Sequence, residues 1–344
     1  MAKDYSDLIN NLKETPPREL NDHILIVDAM NMLIRSFSLL KAMNPTGHHI
    51  GGLVGFLRSL GYMTRIVDPT RVIIVWDGKG GSSNRKNIDP NYKAHREHVR
   101  ITNWGAYDSK EEEIEALVGQ LYRTQDYLDC LPLQQISMEK LEADDIIAYL
   151  AKEASRTNKK VTIVSSDKDF VQLINKNIEV YAPVKKKTFT IDNIKEEIQV
   201  LPENYNIVKA LLGDNSDGLK GIKGLGIKTI LAEWGSIAYD PLFSLDDITD
   251  LCEVRLEEKK PKKIFAKIIH DFDRVLTNYK LMNLHESVLD LKEKNTILDI
   301  IKSPIPSLET GAFLHLLDQD KIEGITKNTE AWLETFRGLT VFKK

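Results

Sequence analysis

The chain has 344 residues, 42% hydrophobic and 28% charged, with a formal net charge of −4. That is ordinary for a globular protein, and the length allows a large buried core. Two cysteines, Cys130 and Cys252, exclude a disulfide framework and have no metal-ligand spacing, no apolar run reaches the ~18 residues of a membrane helix, and residues 1–23 lack the apolar stretch of a secretory signal, so a cytoplasmic protein is expected.

Along the first two hundred residues, short β-branched runs alternate with longer helical ones. "HILIVD" (23–28), "RVIIVWD" (71–77), "LQQIS" (133–137) and "VTIVSSD" (161–167) read as strands. Between the first two, "GGLVGFLRSLGYMTRIV" places Leu53, Phe56, Leu57, Leu60 and Tyr62–Met63 on one helical face. The polar segment 78–98, "GKGGSSNRKNIDPNYKAHREH", is long enough to be functional in a compact domain. After it, "SKEEEIEALVGQLYRTQDYL" opens with a serine cap and acids in its first turn, then carries Ile114, Leu117, Leu121 and Leu128. "LEADDIIAYLAKEA" is a further helix. Strands alternating with helices predict an α/β fold with a mostly parallel, helix-covered sheet. Beyond Pro202 the texture is mainly helical. The expected division is therefore 1–200, an α/β core; 201–300, a helical region; and 301–344, a C-terminal extension without an assigned role.

Three of the four strands end in a carboxylate: Asp28, Asp77 and Asp167. Ligands bind at the carboxyl ends of strands in such sheets. Asp169 follows Asp167 by two. Glu142, Asp144 and Asp145 open a helix, and Asp214 and Asp217 open a glycine segment. Two carboxylates ~4 Å apart repel by roughly 4 kcal/mol at an effective dielectric of 20, so gathering nine acids needs a counter-charge. With no histidine or cysteine set nearby, the chemistry suits Mg²⁺, with Mn²⁺ as a substitute, and the number of acids suits two ions. Two such ions suit hydrolysis of a phosphodiester. Each acid singly also reads as a helix cap or turn residue.

The negative net charge argues against a polyanionic partner, but the charges are segregated. Residues 79–100 carry Lys79, Arg85, Lys86, Lys93, Arg96 and Arg100 against two acids, and residues 259–267 carry five lysines and no acid. The stretch "GIKGLGIKT" (221–229) comes within one residue of a P-loop, which would suggest an ATPase. Ile227 displaces the lysine, however, and a helix rather than a buried strand precedes it. It reads as a hairpin gripping a nucleic-acid phosphate, through Gly221, Gly224, Gly226 and the amides that open the next helix, with Lys220, Lys223 and Lys228 adding charge.

"IVDAMN" (26–31), "VWDG" (75–78), "LEADD" (141–145), "SSDKD" (165–169) and "GDNSDGLKGIKGLGIKT" (213–229) resemble, in order and spacing, the motifs of the 5′→3′ exonuclease and flap endonuclease family, with phage members such as the T-even phage RNase H nearest. The resemblance spans roughly residues 22–285. It implies a PIN/resolvase-like nuclease core with a helical arch, here about 78–130, and a helix–three-turn–helix region after residue 200. It implies a structure-specific, Mg²⁺-dependent nuclease that removes RNA primers and 5′ flaps, acting on branched or nicked duplex DNA and RNA–DNA hybrids. By that match Asp28, Asp77, Glu142, Asp144 and Asp145 form a first metal site, and Asp167, Asp169, Asp214 and Asp217 a second, with Asp77 and Asp145 central to catalysis. "PNYKAHR" (90–96) resembles the base of the arch, so Lys93 would contact the scissile phosphate, Arg96 would assist, and Tyr92 could stack on a base. Arg85, Lys86 and Thr229 join the nucleic-acid-binding set, and potassium is a candidate at the hairpin. A monomer is expected, with a single-strand-binding protein or a clamp as partners. Ala29 departs from the glycine found there in many relatives. A PIN-type RNA nuclease and a silent junction-binding protein remain as alternatives.

Overall fold

The computed structural model describes residues 18–94, 101–102 and 104–342. Its centre is a sheet of β1 (His23–Asp28), β2 (Arg71–Val75), β3 (Gln134–Ile136), β4 (Lys160–Val164), β5 (Ile178–Ala182) and β6 (Lys187–Phe189), in the order β3-β2-β1-β4-β5-β6. All neighbours pair in parallel except β5 and β6. The fold class expected from the sequence is the one observed. The last two strands were not anticipated, because "IEVYA" and "KTF" are short and broken by charges.

Both faces of the sheet are covered, which is why its central strands are continuous apolar runs. Side chains alternate sides along a strand, so Ile24 and Ile26 enter one core and Leu25 and Val27 the other. The first core packs against α5 (Ala143–Arg156) and α7 (Tyr205–Leu212), which follows α6 (Ile194–Ile198). The second packs against α1 (Ala29–Leu39), α2 (Gly51–Val67) and α4 (Lys110–Asp129). Ser109 caps α4 as expected, accepting the Glu112 amide. Two residues placed on apolar faces by periodicity point outward instead, Tyr62 and Ile114.

Packing ties the three expected segments together. Within the presumed arch segment the described residues form a short α3 (Ser83–Ile88), and residues 110–129 form α4, whose Leu117, Tyr127 and Leu128 are core. The helical region after residue 200, comprising α7, α8 (Ile227–Glu233), α9 (Leu245–Leu256), α10 (Lys263–His270) and α11 (Phe272–Met282), has no core of its own. Ile207, Ile230, Phe265 and Val275 belong to the same buried cluster as Ile24 and Ile26. The C-terminal extension is likewise part of the body. After α12 (Leu291–Lys302), helices α13 (Thr310–Gln319) and α14 (Thr329–Arg337) insert Phe313, Leu317, Trp332 and Phe336 into the second core. The fit against α2 is tight: a Cβ on Gly61 would lie 2.1 Å from Trp332 Nε1.

Candidate active site

Register brings the acids together. Asp28 pairs with Val75, and Val27 with Val164. The residues just past β2 and β4, reaching Asp77 and Asp167, therefore emerge on either side of Asp28. Each is then used locally as a cap. Asp28 Oδ1 accepts the Asn31 amide at 3.2 Å at the start of α1, and Oδ2 accepts the Ser165 hydroxyl at 2.7 Å. Asp77 accepts the Ala143 amide at 2.8 Å, capping α5 from another strand. Asp167 accepts the Asp169 amide at 2.8 Å. The capping reading of these acids therefore holds, and it leaves the candidate site reading open to the same side chains.

The electrostatics of this group are unfavourable. Burial pushes the Asp28 carboxyl up to about 7, and Asp77 and Asp167 push it the same way against the Ser165 hydrogen bond. Burial raises Asp77, with Glu142 adding repulsion. Asp144 is held well above the usual carboxylate range by burial, and by Asp167 and Asp28. Asp28, Asp77, Asp144 and Asp167 are therefore one mutually repelling set, and Asp167 belongs electrostatically with Asp28 and Asp144.

Four of the remaining acids are paired with cations. Arg85 Nη1 lies 2.8 Å from Glu142 Oε2, while its two nitrogens meet Asp145 at 2.9 Å each. Its Nε donates to the Leu281 carbonyl at 2.9 Å. Lys93 Nζ donates to both Glu142 oxygens at 3.1 Å. Burial would raise Glu142, but Arg85 and Lys93 outweigh it and hold the carboxyl low. Lys209 bridges Asp169 and Asp214, 2.6 Å from the latter. Burial likewise pushes Asp214 up, while Lys209 and Ser216 pull it below its ordinary range. Lys209 was missed in the sequence; its signal is a lysine inside the apolar run "NIVKALL".

Two expected roles are corrected. Arg85 is 9% exposed and committed to carboxylates, so it organises acids and does not present itself to nucleic acid. Tyr92, expected to stack on a base, is 2% exposed, packs with Leu219, Leu281 and Met282, and donates its hydroxyl to Glu142 at 3.3 Å. Lys93 adopts φ +57°, a left-handed conformation costly for a residue with a Cβ. Its amide donates to the Asp217 carbonyl at 2.9 Å, which ties the segment to the glycine stretch. Lys93 and Lys86 line a cleft of about 480 Å³ together with Asp77, Gly78, Ser82 and Glu142. Arg96 lies outside the described residues.

The two-stranded antiparallel hairpin lies just before the expected place, pairing Gly213–Asp214 with Leu219–Lys220, and residues 221–226 are a turn-containing loop that leads into α8. A Cβ on Gly221 would sit 2.0 Å from the Leu212 carbonyl, and Gly224 has φ +89°. Gly226 is extended and uncrowded, so its backbone does not require glycine. Lys223 and Lys228 are exposed, and Thr229 is half-buried. The Lys223 carbonyl accepts Lys267 Nζ at 3.1 Å and the Gly221 carbonyl accepts Arg274 at 3.4 Å, so two carbonyls of the stretch already meet cationic side chains.

The donor chemistry fits hard divalent cations: oxygen ligands only, with repulsion among Asp28, Asp77, Asp144 and Asp167 that a cation would relieve. The nine acids are not a ready cage. Among the described residues no group of three or more such side chains is already arranged to hold a metal ion, since Arg85, Lys93 and Lys209 draw part of the set aside.

Residues 23–199 match the family model of the 5′-3′ exonuclease N-terminal, resolvase-like domain. The DNA polymerase I of Rhizobium leguminosarum is 30% identical over 333 residues, covering 92% of this chain but 31% of the polymerase. The chain thus spans about a third of the polymerase relatives' length. A 5′-3′ exonuclease of Aquifex aeolicus is 27% identical over 300 residues, 86% of this chain and 95% of that protein. Among solved structures, a bacteriophage T5 flap endonuclease in a pseudo-enzyme–product complex with DNA and metal ions matches with a TM-score of 0.64 and 20% identity, covering 82% of this chain and all of that one; at that identity the likeness speaks for the fold. With a family model matched over more than half its length, on a sheet that carries its acids at the strand ends, this chain belongs to the 5′→3′ exonuclease family of nucleases.

Proposed function

We propose that this chain is a divalent-metal-dependent, structure-specific 5′→3′ exonuclease and 5′-flap endonuclease, hydrolysing phosphodiester bonds in branched or nicked duplex DNA and in RNA–DNA hybrids. One observation carries the reading: Asp28, Asp77 and Asp144 are buried together at strand and helix ends, where burial and neighbouring carboxylates raise all three. Asp28, Asp77, Asp144 and Asp167 would hold Mg²⁺ or Mn²⁺, with Glu142, Asp145, Asp169, Asp214 and Asp217 around them. When bound, such ions lower the pKa of an attacking water and stabilise the leaving oxygen.

The protein's own contribution is positioning. Lys93 is kept protonated by Glu142, Asp144 and Asp217 despite burial, and its strained backbone aims it at the cleft beside Asp77. With Glu142 drawn towards a metal ion, that ammonium would be free to stabilise the charge developing on a phosphate entering there. The exposed Lys223 and Lys228 of the glycine stretch would hold the duplex through its phosphates. The test is a gel of a 5′-labelled flap, a nicked duplex and an RNA–DNA hybrid, each with and without Mg²⁺. Cleavage should require the ion and be lost in Asp144→Asn; full cleavage by that variant, or cleavage in chelator, would refute the reading.

A further inference from the structure

Helix α11 carries none of the nine acids, yet buried side chains tie it to three of the segments that do. Asn278, 2% exposed, donates its side-chain amide to the Ala210 and Lys220 carbonyls at 3.0 Å each. Those two residues flank the turn that bears Asp214 and Asp217. The buried Gln172 donates to the Asp169 carbonyl at 2.8 Å and to the Met282 carbonyl at 3.0 Å, and accepts the Leu284 amide at 3.0 Å. Arg85, which holds Glu142 and Asp145, donates to the Leu281 carbonyl.

The last carbonyls of a helix find no amide within it. At the end of α7 the Leu211 carbonyl accepts the Ile222 amide at 2.8 Å, and the Ala210 carbonyl accepts Asn278. The chain enters the acidic turn after Ala210 and leaves it at Lys220, and one NH₂ group, with its two donors, spans both ends. Asparagine is a weak helix former and is mostly exposed in folded proteins. Its place on the buried face of α11, with Val275 and Leu281, is explained by the two carbonyls it meets. Asp214 shares Lys209 with Asp169, so where the turn sits relative to Lys168–Leu173 sets the separation of those carboxylates.

We propose that Asn278 is a positioning residue of the nuclease. It clamps both ends of the turn bearing Asp214 and Asp217 to α11, the helix to which Gln172 and Arg85 fix other acids, and so sets the spacing at which the acids take a divalent ion. It rests on the nuclease reading, in which those acids hold the metal.

The test compares two variants. Asn278→Leu has a similar volume and no donor, while Asn278→Ser keeps a hydroxyl that can serve one carbonyl. Binding of Mn²⁺ to the DNA-free protein is read from the electron paramagnetic resonance signal of the unbound ion. Its affinity should fall on the order of tenfold in Asn278→Leu, as when residues that orient metal ligands are removed, and less in Asn278→Ser. In flap cleavage the Mg²⁺ concentration giving half the maximal rate should rise in the same order, with the rate at saturating Mg²⁺ recovering towards wild type. A merely structural role would lower the urea midpoint and leave both metal readings at their wild-type values, and that result would overturn the proposal. Should Asn278→Leu fail to fold, Asn278→Ser decides by the same two readings. No Mn²⁺ binding by wild type would instead sink the nuclease reading, and the role of Asn278 with it.

Discussion

Replacing Asp28 by asparagine should stabilise the metal-free protein at neutral and alkaline pH. The carboxyl is 6% exposed at the end of the central strand and is pushed up to about 7, first by burial and then by Asp77 and Asp167. An unfolded aspartate titrates near 3.9, so between about pH 4 and pH 7 the native chain binds the extra proton. Stability therefore falls as pH rises through that window. With ~1.36 kcal/mol per pK unit, the loss reaches about 4 kcal/mol above pH 7. Asparagine keeps the acceptor for the Asn31 amide and can still pair with the Ser165 hydroxyl, at a cost of about 1–2 kcal/mol for the lost charge assistance. Asp28→Asn should thus be about 2 kcal/mol more stable than wild type at pH 8 in chelator, and the gain should vanish by pH 4. Urea denaturation followed by circular dichroism at pH 8, 6 and 4 measures this. Added Mg²⁺ should stabilise wild type more than the variant. A variant no more stable than wild type at pH 8, with a difference that does not vary with pH, would refute the electrostatic reasoning.

Arg85→Ala strands Asp145 as a buried, unpaired charge and leaves Glu142 to Lys93, and should cost about 3–5 kcal/mol in urea denaturation, with Arg85→Lys retaining part of it. Tyr92→Phe should keep duplex affinity, while Tyr92→Ala should cost about 3–5 kcal/mol of stability, as for a core aromatic; an affinity loss without a stability loss would restore the stacking role. Lys223→Glu should weaken duplex binding and lower its salt slope, read by fluorescence anisotropy across a salt series, with ATP having no effect. Gly61→Val should lower the thermal midpoint by displacing Trp332, and an unchanged midpoint would show that α14 does not dock as described.

The sheet was legible because a strand buried on both faces has to be apolar throughout, and "HILIVD" and "RVIIVWD" can satisfy that only inside a covered parallel sheet. The strand-end acids followed from the same fact, since register carries Asp28, Asp77 and Asp167 to one edge once their strands are adjacent. What the sequence left open was settled by contacts between distant segments. Helices α13 and α14 have short amphipathic stripes that look the same whether they dock on the body or hang free; only the notch at Gly61 opposite Trp332 decides, and its partners are 271 residues apart in sequence. Tyr92 failed for a related reason. A tyrosine in a basic, glycine-rich segment is equally a stacking platform or a buried donor, and Glu142, fifty residues on, settles which.

The basic residues show why counting charge in sequence windows misleads at such a site. Arg85, Lys86, Lys93 and Arg96 form one basic stretch, and the natural inference is a surface facing a polyanion. In the folded chain Arg85 and Lys93 turn inward to Glu142 and Asp145, and Lys209 does the same for Asp169 and Asp214. Without them, acids placed by the sheet and by α5 would face one another at several kcal/mol per close pair. The three cations hold Glu142, Asp145, Asp169 and Asp214, while the carboxyls of Asp28, Asp77 and Asp144 stay raised by burial and by neighbouring acids, and there a divalent ion would gain most by binding. Lys93 holds both positions. Its ammonium is committed to Glu142, yet it lines the cleft beside Asp77 on a left-handed backbone. A metal ion drawing on Glu142 would free that ammonium for an incoming phosphate, so metal binding and substrate contact should be coupled through one side chain. Lys93→Ala should therefore weaken the dependence of flap affinity on Ca²⁺, a non-hydrolysing substitute, as well as lowering cleavage by about 10²–10³-fold; a variant with wild-type Ca²⁺ dependence would show that the two are independent.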